Sequence, residues 1–342
     1  MKTIIIKVNP EKPSIKKVEK AAEAIKRGML VAFPTETVYG LGANALDKKA
    51  VEKIFKAKQR PRDDPLIVHV SDKKDVYRLA RHVPEKAEKL IARFWPGALT
   101  LVLKKRGSVP AITTANLNTI AVRMPASRIA LELIRLSSKP IAAPSANLFG
   151  KPSPTKAEHV LEDLRDRVEM IIDGGETKIG VESTVLDLTS KVPVILRPGG
   201  VPKEEIEKII GKVKVLKGKA SSAKAPGMKY RHYAPKAKLV IVKGKGAVKK
   251  INRAVEKIVG RGKKAGILAS TENAGKYVKG KGIFIEVLGR KNAKKEIAKN
   301  LFSALRKLDS RKVGVIYAEA FSEKGLGLAV MNRLKKAASK EI

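Results

Sequence analysis

The sequence predicts an α/β protein in two parts, a larger N-terminal domain built on a twisted mixed sheet with flanking helices and a smaller C-terminal domain with a parallel sheet. Three observations carry this. A chain of 342 residues exceeds what one ordinary core covers. Helical and extended hydrophobic patterns alternate along nearly all of it. A stretch rich in Lys, Ser, Ala, Gly and Pro interrupts that rhythm, which then restarts, so the predicted boundaries are 1–211 for the first domain, 212–236 for a linker and 237–342 for the second domain.

In order, "PSIKKVEKAAEAIKRGM" sets Ile15, Val18, Ala22 and Ile25 at helical spacing, with Ser14 as N-cap and Gly28 near the stop. "LVAFP" is a strand, "DKKAVEKIFKAK" a helix capped by Asp47, "LIVHV" a strand and "PEKAEKLIARF" a helix. "ALTLVL" and "TIAVRMP" are strands, "SRIALELIRL" a helix, and "PIAAPSAN" a strand running into a loop. "TKAEHVLEDL" opens with Thr155 and Glu158 at capping-box spacing. "VEMIIDGG", "STVLDLT" and "PVILRPGG" then follow as strands, the last two without helices between them, which makes the sheet mixed. After the linker, "LVIVK", "KAGILAS", "GIFIEV" and "KVGVIYAEA" are strands. Helices near Val248–Val259, in "NAKKEIAKNLFSALRKL" and in "GLGLAVMNRLKKAA" accompany them, a β-α alternation that implies a parallel sheet.

Composition narrows the chemistry. With no cysteine, disulfides, thiolate metal sites and cysteine nucleophiles are excluded. The apolar run in "MKTIIIKVNP" is shorter than a leader is expected to have, and no long apolar span occurs, so a soluble, cytoplasmic protein is expected. The formal charge of +40 has two readings. One is a polyanionic partner such as RNA or a nucleotide. The other is a heat-adapted, Lys-rich surface, in keeping with Gln59 being the only glutamine. The lysines are spread through every amphipathic segment, so charge alone does not decide between them.

Several residues have side chains suited to chemistry. In "FPTETVYGLGANA", Thr35, Glu36 and Thr37 follow a buried strand, where α/β proteins place ligands, and Gly40 and Gly42 are expected to be turn glycines. "FKAKQRPRDDP" gathers Lys56, Lys58, Arg60 and Arg62, forked and point charges suited to a triphosphate. His69 in mid-strand reads on its own as a packed core residue. Arg123 leaves a strand just before Pro125 with no acid near it in sequence, and it needs an anion such as a substrate carboxylate or phosphate. "APSANLFGKPSPT" supplies Ser145, Asn147 and Ser153 in proline-fixed turns, and "GVESTVLDL" with "VILRPGG" adds Ser183, Thr184 and Arg197.

Taken in order, "PTETVYGLG", the Lys-x-Arg-Pro run with "PLIVHV", "WPGALTLVL", "VRMP", "PSAN", "ESTV" and "LRPGG" closely resemble the YrdC-like family of threonylcarbamoyl-AMP synthases over nearly all of 15–202. "PGMKYRHYAP" and "GLGLAVMNRLKKAA" extend the resemblance to the family's long, two-domain form, whose second domain is Rossmann-like. A departure is "KQRPRDDP", with two acids in a loop that is often less acidic in relatives.

The resemblance implies joining of L-threonine, bicarbonate or CO2, and ATP into threonylcarbamoyl-adenylate and pyrophosphate, with Mg2+ accompanying ATP. The product would pass to a tRNA threonylcarbamoyl transferase complex. It further implies Lys58 and Arg60 as catalytic cations, with Arg62 and Arg197 also on the phosphates. Thr119, the Ala143 backbone, Ser145 and Ser153 would hold the nucleotide, and Thr35, His69, Arg123 and Ser183 the threonine. In the linker, Tyr230, Arg231 and His232 are expected to contact ATP, the segment serving as a lid in which Tyr230 and Tyr233 cover apolar surface. The competing reading from the residues is a non-catalytic RNA- or tRNA-binding module using a basic concave sheet. A dinucleotide-dependent dehydrogenase fits poorly, since no strand of the second domain is followed by a full G-x-G-x-x-G.

Overall fold

A computed structural model describes residues 2–216, 230 and 232–342. The chain divides into two units, Met1–Phe149 with Ser153–Tyr230, and Gly150–Pro152 with Arg231–Ile342.

Along the first unit run β1 (Ile4–Lys7), α1 (Ile15–Lys26), β2 (Val31–Pro34), β3 (Tyr39–Asn44), α2 (Lys48–Lys58), β4 (Ile67–His69), α3 (Asp75–Leu79), α4 (Glu85–Phe94), β5 (Leu99–Lys104), β6 (Thr119–Arg123), α5 (Arg128–Ser137), β7 (Ile141–Ala142), α6 (Ala157–Leu164), β8 (Met170–Asp173), β9 (Thr184–Asp187), β10 (Val194–Arg197), α7 (Lys203–Ile210) and β11 (Lys214–Val215). Its eleven strands lie in the order β1-β8-β2-β3-β7-β4-β6-β5-β9-β10-β11. The sheet is mixed: β4 and β6 run parallel, whereas β2 with β3 and β5 with β6 run antiparallel. Strand alternation feeds two cores. Val31 and Phe33 of β2 pack with Val18, Ile25 and Leu133 of α1 and α5, while Ala32 between them joins the cluster of Val51, Ile54 and Leu90 from α2 and α4.

Local signals in the sequence were met unevenly. Asp47 caps α2, accepting from the N–H groups of Lys49 at 2.8 Å and Ala50 at 3.2 Å. Ser14 stands at the N-cap of α1 without a side-chain bond. The Thr155/Glu158 capping box does not form: α6 begins at Ala157 behind Lys156, and the Thr155 N–H lies 3.3 Å from His159 Nδ1. Gly40 and Gly42 are not turn residues but lie inside β3. A Cβ on Gly42 would stand 2.7 Å from Phe33 Cε1 and 2.8 Å from Ile141 Cγ2, so close strand-to-strand packing explains the glycine. "IIIK" near the N-terminus forms β1, paired in parallel with β8, and this strand, β3, α3 and α7 have no counterpart in the sequence reading.

In the second unit, β12 (Lys238–Val242), α8 (Ala247–Val259), β13 (Ala265–Ser270), α9 (Thr271–Ala274), β14 (Ile283–Gly289), α10 (Lys294–Ser310), β15 (Val315–Glu319), α11 (Gly327–Ala337) and β16 (Lys340–Glu341) follow in turn. The five strands pair in parallel in the order β14-β13-β15-β12-β16, as the β-α rhythm requires. Among the described residues, no helix is long and apolar enough to cross a membrane.

Candidate active site

The end of β2 turns sharply because Thr35 folds onto its own backbone. Its Oγ1 donates to the Val38 carbonyl at 2.6 Å and receives the N–H groups of Thr37 at 3.1 Å and Val38 at 3.2 Å. The Glu36 carbonyl is held by the Ile179 N–H at 2.8 Å, and its side chain is 9% exposed.

Parallel pairing of β4 and β6 sets His69 opposite Arg123, so both side chains share one face of the sheet. Arg123 is 4% exposed; its Nε donates to the Gly97 carbonyl at 3.1 Å and its Nη2 stands 2.7 Å from Glu36 Oε1. That contact is an ion pair out of line for a hydrogen bond, so both Glu36 carboxylate oxygens and Arg123 Nη2 are buried without a hydrogen-bond partner. The expectation that Arg123 has no acid beside it is therefore corrected: the pairing acid is remote in sequence and arrives through the fold.

His69 is 3% exposed, its Nδ1 has no hydrogen bond, and its ring meets Phe33 edge-on with centroids 6.5 Å apart. Burial pushes its pKa down to about 3, with the positive charge of Arg123 and then Arg197 adding to the effect. The imidazole is neutral at physiological pH, able to donate from one nitrogen and accept at the other.

Ser183 and Arg197 form a second knot. Arg197 donates to the Ser183 carbonyl from Nε at 3.2 Å and Nη2 at 3.0 Å, and reaches Ser183 Oγ at 3.2 Å, while that hydroxyl lies 2.7 Å from Thr100 Oγ1. Gly199 of "LRPGG" is required here, because a Cβ would sit 2.2 Å from the Ser183 carbonyl carbon. Next to Ser183, the Glu182 carboxylate accepts the Ser153 hydroxyl, bringing that nucleotide candidate beside the "EST" segment.

Lys58 joins two further motifs. It ends α2 fully buried, at 1% exposure, with Nζ donating to the carbonyls of Ser145 and Asn147. Arg60 is also buried, paired with Asp64 Oδ2 at 2.9 Å and donating to the Pro65 carbonyl at 3.0 Å. Arg62, by contrast, is 68% exposed and paired with Glu52. An open cleft of about 570 Å3, lined by Lys49, Lys53, Lys56, Arg60, Arg62 and Glu52, lies along this side of α2. The two extra acids of "KQRPRDDP" each have a partner, since Asp63 receives the Tyr230 hydroxyl at 2.7 and 2.8 Å while Asp64 holds Arg60.

Thr119 opens β6, half-buried, and the Ala143 N–H is already donated to the Ile67 carbonyl at 2.9 Å. Tyr230 also packs edge-on against Phe149, ring centroids 5.5 Å apart. Arg231 and 217–229 of the linker lie outside the described residues. His232 and Tyr233 belong to the second unit and are buried there; Tyr233 stacks on Phe302 at 5.4 Å, with the Arg333 guanidinium 5.0 Å from its ring. Tyr233 is thus a packing residue of that unit, a correction to its expected covering role.

Glu36 and Thr37 were placed at a ligand-binding strand end by the sequence but given no partner, and Thr100 and Glu182 were not singled out. The signal for these last two was membership of the "ALTLVL" strand and the "GVESTV" string, since nothing local connects them to their partners.

A family profile described as "Telomere recombination" matches residues 23–199, and one described as "Threonylcarbamoyl-AMP synthase, C-terminal domain" matches 201–339. A threonylcarbamoyl-AMP synthase from Pyrococcus abyssi is 55% identical, covering 99% of both chains, and one from Bacillus subtilis is 50% identical over 94% of this chain and 92% of its own. The crystal structure of P. abyssi Sua5 complexed with L-threonine superposes with a TM-score of 0.93 at 52% identity, over 99% of this chain and 100% of that one.

Proposed function

The chain belongs to the threonylcarbamoyl-AMP synthase family, and from that premise we propose that it condenses L-threonine, bicarbonate or CO2, and ATP into threonylcarbamoyl-adenylate, releasing pyrophosphate. In reaction terms it is a nucleotidyltransferase. Its product would feed threonylcarbamoylation of the adenosine next to the anticodon of certain tRNAs, work placed in the cytoplasm.

The observation that carries this reading is neutral His69 set opposite Arg123 at adjacent strand ends, with Glu36 of the Thr35 turn against Arg123 and Ser183 held by Arg197, in a chain matching such synthases along its whole length. A small zwitterion with a hydroxyl needs a cation, neutral hydrogen-bonding groups and hydroxyls in a confined place, and this set supplies them. Arg123 would fork onto the threonine carboxylate, with Thr35, His69 and Ser183 around the rest of the molecule. Lys58, Arg60, Arg62 and Arg197 would face the phosphates, and Ser145, Ser153, Thr119 and the Ala143 backbone the nucleoside.

The threonine amine is first carboxylated, and an oxygen of the resulting carbamate attacks the α-phosphorus of ATP as pyrophosphate departs. Both partners come from the substrates, so the protein contributes position and charge instead of a nucleophile. Lys58 meets that need through burial: two carbonyls fix its ammonium and hold the "PSAN" loop against α2. Mg2+ would enter on the triphosphate as part of the substrate, since such sites bind it through substrate phosphates.

The test is incubation with ATP, bicarbonate and each amino acid in turn, followed by mass spectrometry for the adenylate and assay of pyrophosphate. A threonine-dependent adenylate is expected. A protein that binds RNA yet releases no pyrophosphate under any of these conditions would instead be the basic RNA-binding module.

A further inference from the structure

Glu36 is unusual for a buried acid. Both carboxylate oxygens are shut off from solvent and neither accepts a hydrogen bond, although a buried carboxylate ordinarily collects several. Among the described residues, the neighbour that neutralises it is Arg123, whose Nη2 is 2.7 Å away but out of line, and Arg123 for its part gives hydrogen bonds from Nε alone, at the Gly97 carbonyl. The pair is therefore balanced in charge and open in hydrogen bonding at both ends. Glu182, next to Ser183, is engaged by Ser153, and His69 carries no charge to offer.

On the reading that Arg123 takes the threonine carboxylate, we propose that Glu36 is the residue that receives the threonine α-ammonium. A zwitterion entering between the two side chains replaces one misaligned ion pair by two aligned ones. Its carboxylate meets the guanidinium and its ammonium meets the carboxylate, so the buried charge stays at zero throughout. In the empty site Glu36 balances the charge of Arg123 and holds it in place. Once threonine is bound, the unfilled lone pairs of Glu36 fix the amine that is to be carboxylated. Glu36 would thereby select α-amino acids over hydroxy acids of the same shape, a task separate from selection of the side-chain hydroxyl.

The test uses the full-length chain and two ligands, L-threonine and 3-hydroxybutanoate, which is threonine without its amine, with binding measured by calorimetry or displacement. The wild-type protein should bind threonine at least about tenfold more tightly than the analogue. Glu36→Gln should weaken threonine by about tenfold or more and leave the analogue unchanged or tighter, because Arg123 is freed for its carboxylate. If Glu36→Gln binds threonine like wild type, or weakens both ligands by the same factor, Glu36 only neutralises Arg123 and the inference is overturned. A wild-type protein that binds no threonine overturns the synthase reading itself, which separates the two failures. ATP binding reports whether Glu36→Gln is folded. If it is not, Glu36→Asp replaces it, with a selective loss of threonine over the analogue expected and an equal loss of both counting against the inference.

Discussion

Each unit buries a glutamate where a strand runs out, and the two are treated in opposite ways. Glu319, the last residue of β15, is 3% exposed and accepts four hydrogen bonds: from the Ser270 N–H and hydroxyl, each at 2.9 Å, from Asn273 Nδ2 at 2.8 Å and from the Tyr277 hydroxyl at 2.9 Å. Burial and the neighbouring carboxylate push the Tyr277 pKa up, so this hydroxyl remains a donor. Glu36, just beyond β2, has an ion pair and no hydrogen bond. A saturated carboxylate ties β13, α9 and β15 together and has no capacity left for a ligand. An unsaturated one is a standing cost that the fold carries, and such costs gather where chemistry is done.

The largest effect expected from this contrast is on stability. Glu319→Ala should lower the unfolding free energy of the second unit by about 3 kcal/mol, since it strands several buried donors at once. Glu36→Gln removes the counter-charge of the buried Arg123 guanidinium and should also cost about 3 kcal/mol, a loss that adding Arg123→Gln should largely relieve, whereas no single second change relieves Glu319→Ala. Urea denaturation of these variants checks this, and a double variant no more stable than Glu36→Gln would erase the distinction between an acid held by charge and one held by hydrogen bonds.

Next in size is the ligand side of the open pair. Arg123→Ala should weaken threonine binding by about 2–3 kcal/mol while ATP affinity changes little. Calorimetry with each ligand decides it, and unchanged threonine affinity would return Arg123 to a purely structural role.

A finer probe is the side-chain hydroxyl. With the buried His69 Nδ1 left without a bond inside the protein, valine in place of threonine would leave it unpaired and should be disfavoured by about 2 kcal/mol. Comparison of kcat/KM for the two amino acids measures this, and equal turnover would contradict the pocket as drawn.

Smallest per step of the variable changed is the effect of pH. His69 has a folded pKa of about 3, below the usual histidine value, so the unfolded chain binds a proton that the folded one refuses. Its contribution is fully favourable above about pH 6.5 and declines as the pH falls from there toward 3, with a slope of at most about 1.4 kcal/mol per pH unit for one proton. His69→Gln should remove that slope. Denaturation midpoints between pH 7 and pH 4 would show it, and parallel curves for the two proteins would mean that His69 is solvated on folding.

Much of this was legible in the sequence, and the parts that were not share a cause. Periodicity and turn chemistry are local, so α1, α2, α5, the strands of "LVAFP" and "KAGILAS", and the β-α order of the second sheet could be read from neighbouring residues alone. The ordered strings "PTETVYGLG", "PSAN", "ESTV" and "LRPGG" located the candidate site for the same reason. By contrast, β3 was hidden because its glycines imitate a turn, and only the closeness of Phe33 and Ile141 explains them. The capping box failed because Thr155 lies next to His159 once the helix is folded. Whether an acid or a cation is satisfied depends on which distant strand lies beside it and in what register. Glu36 meeting Arg123, and Lys58 meeting the carbonyls of Ser145 and Asn147, were therefore decided by the tertiary structure, because hydrogen bonds and ion pairs act over a few ångströms of space whatever the separation along the chain.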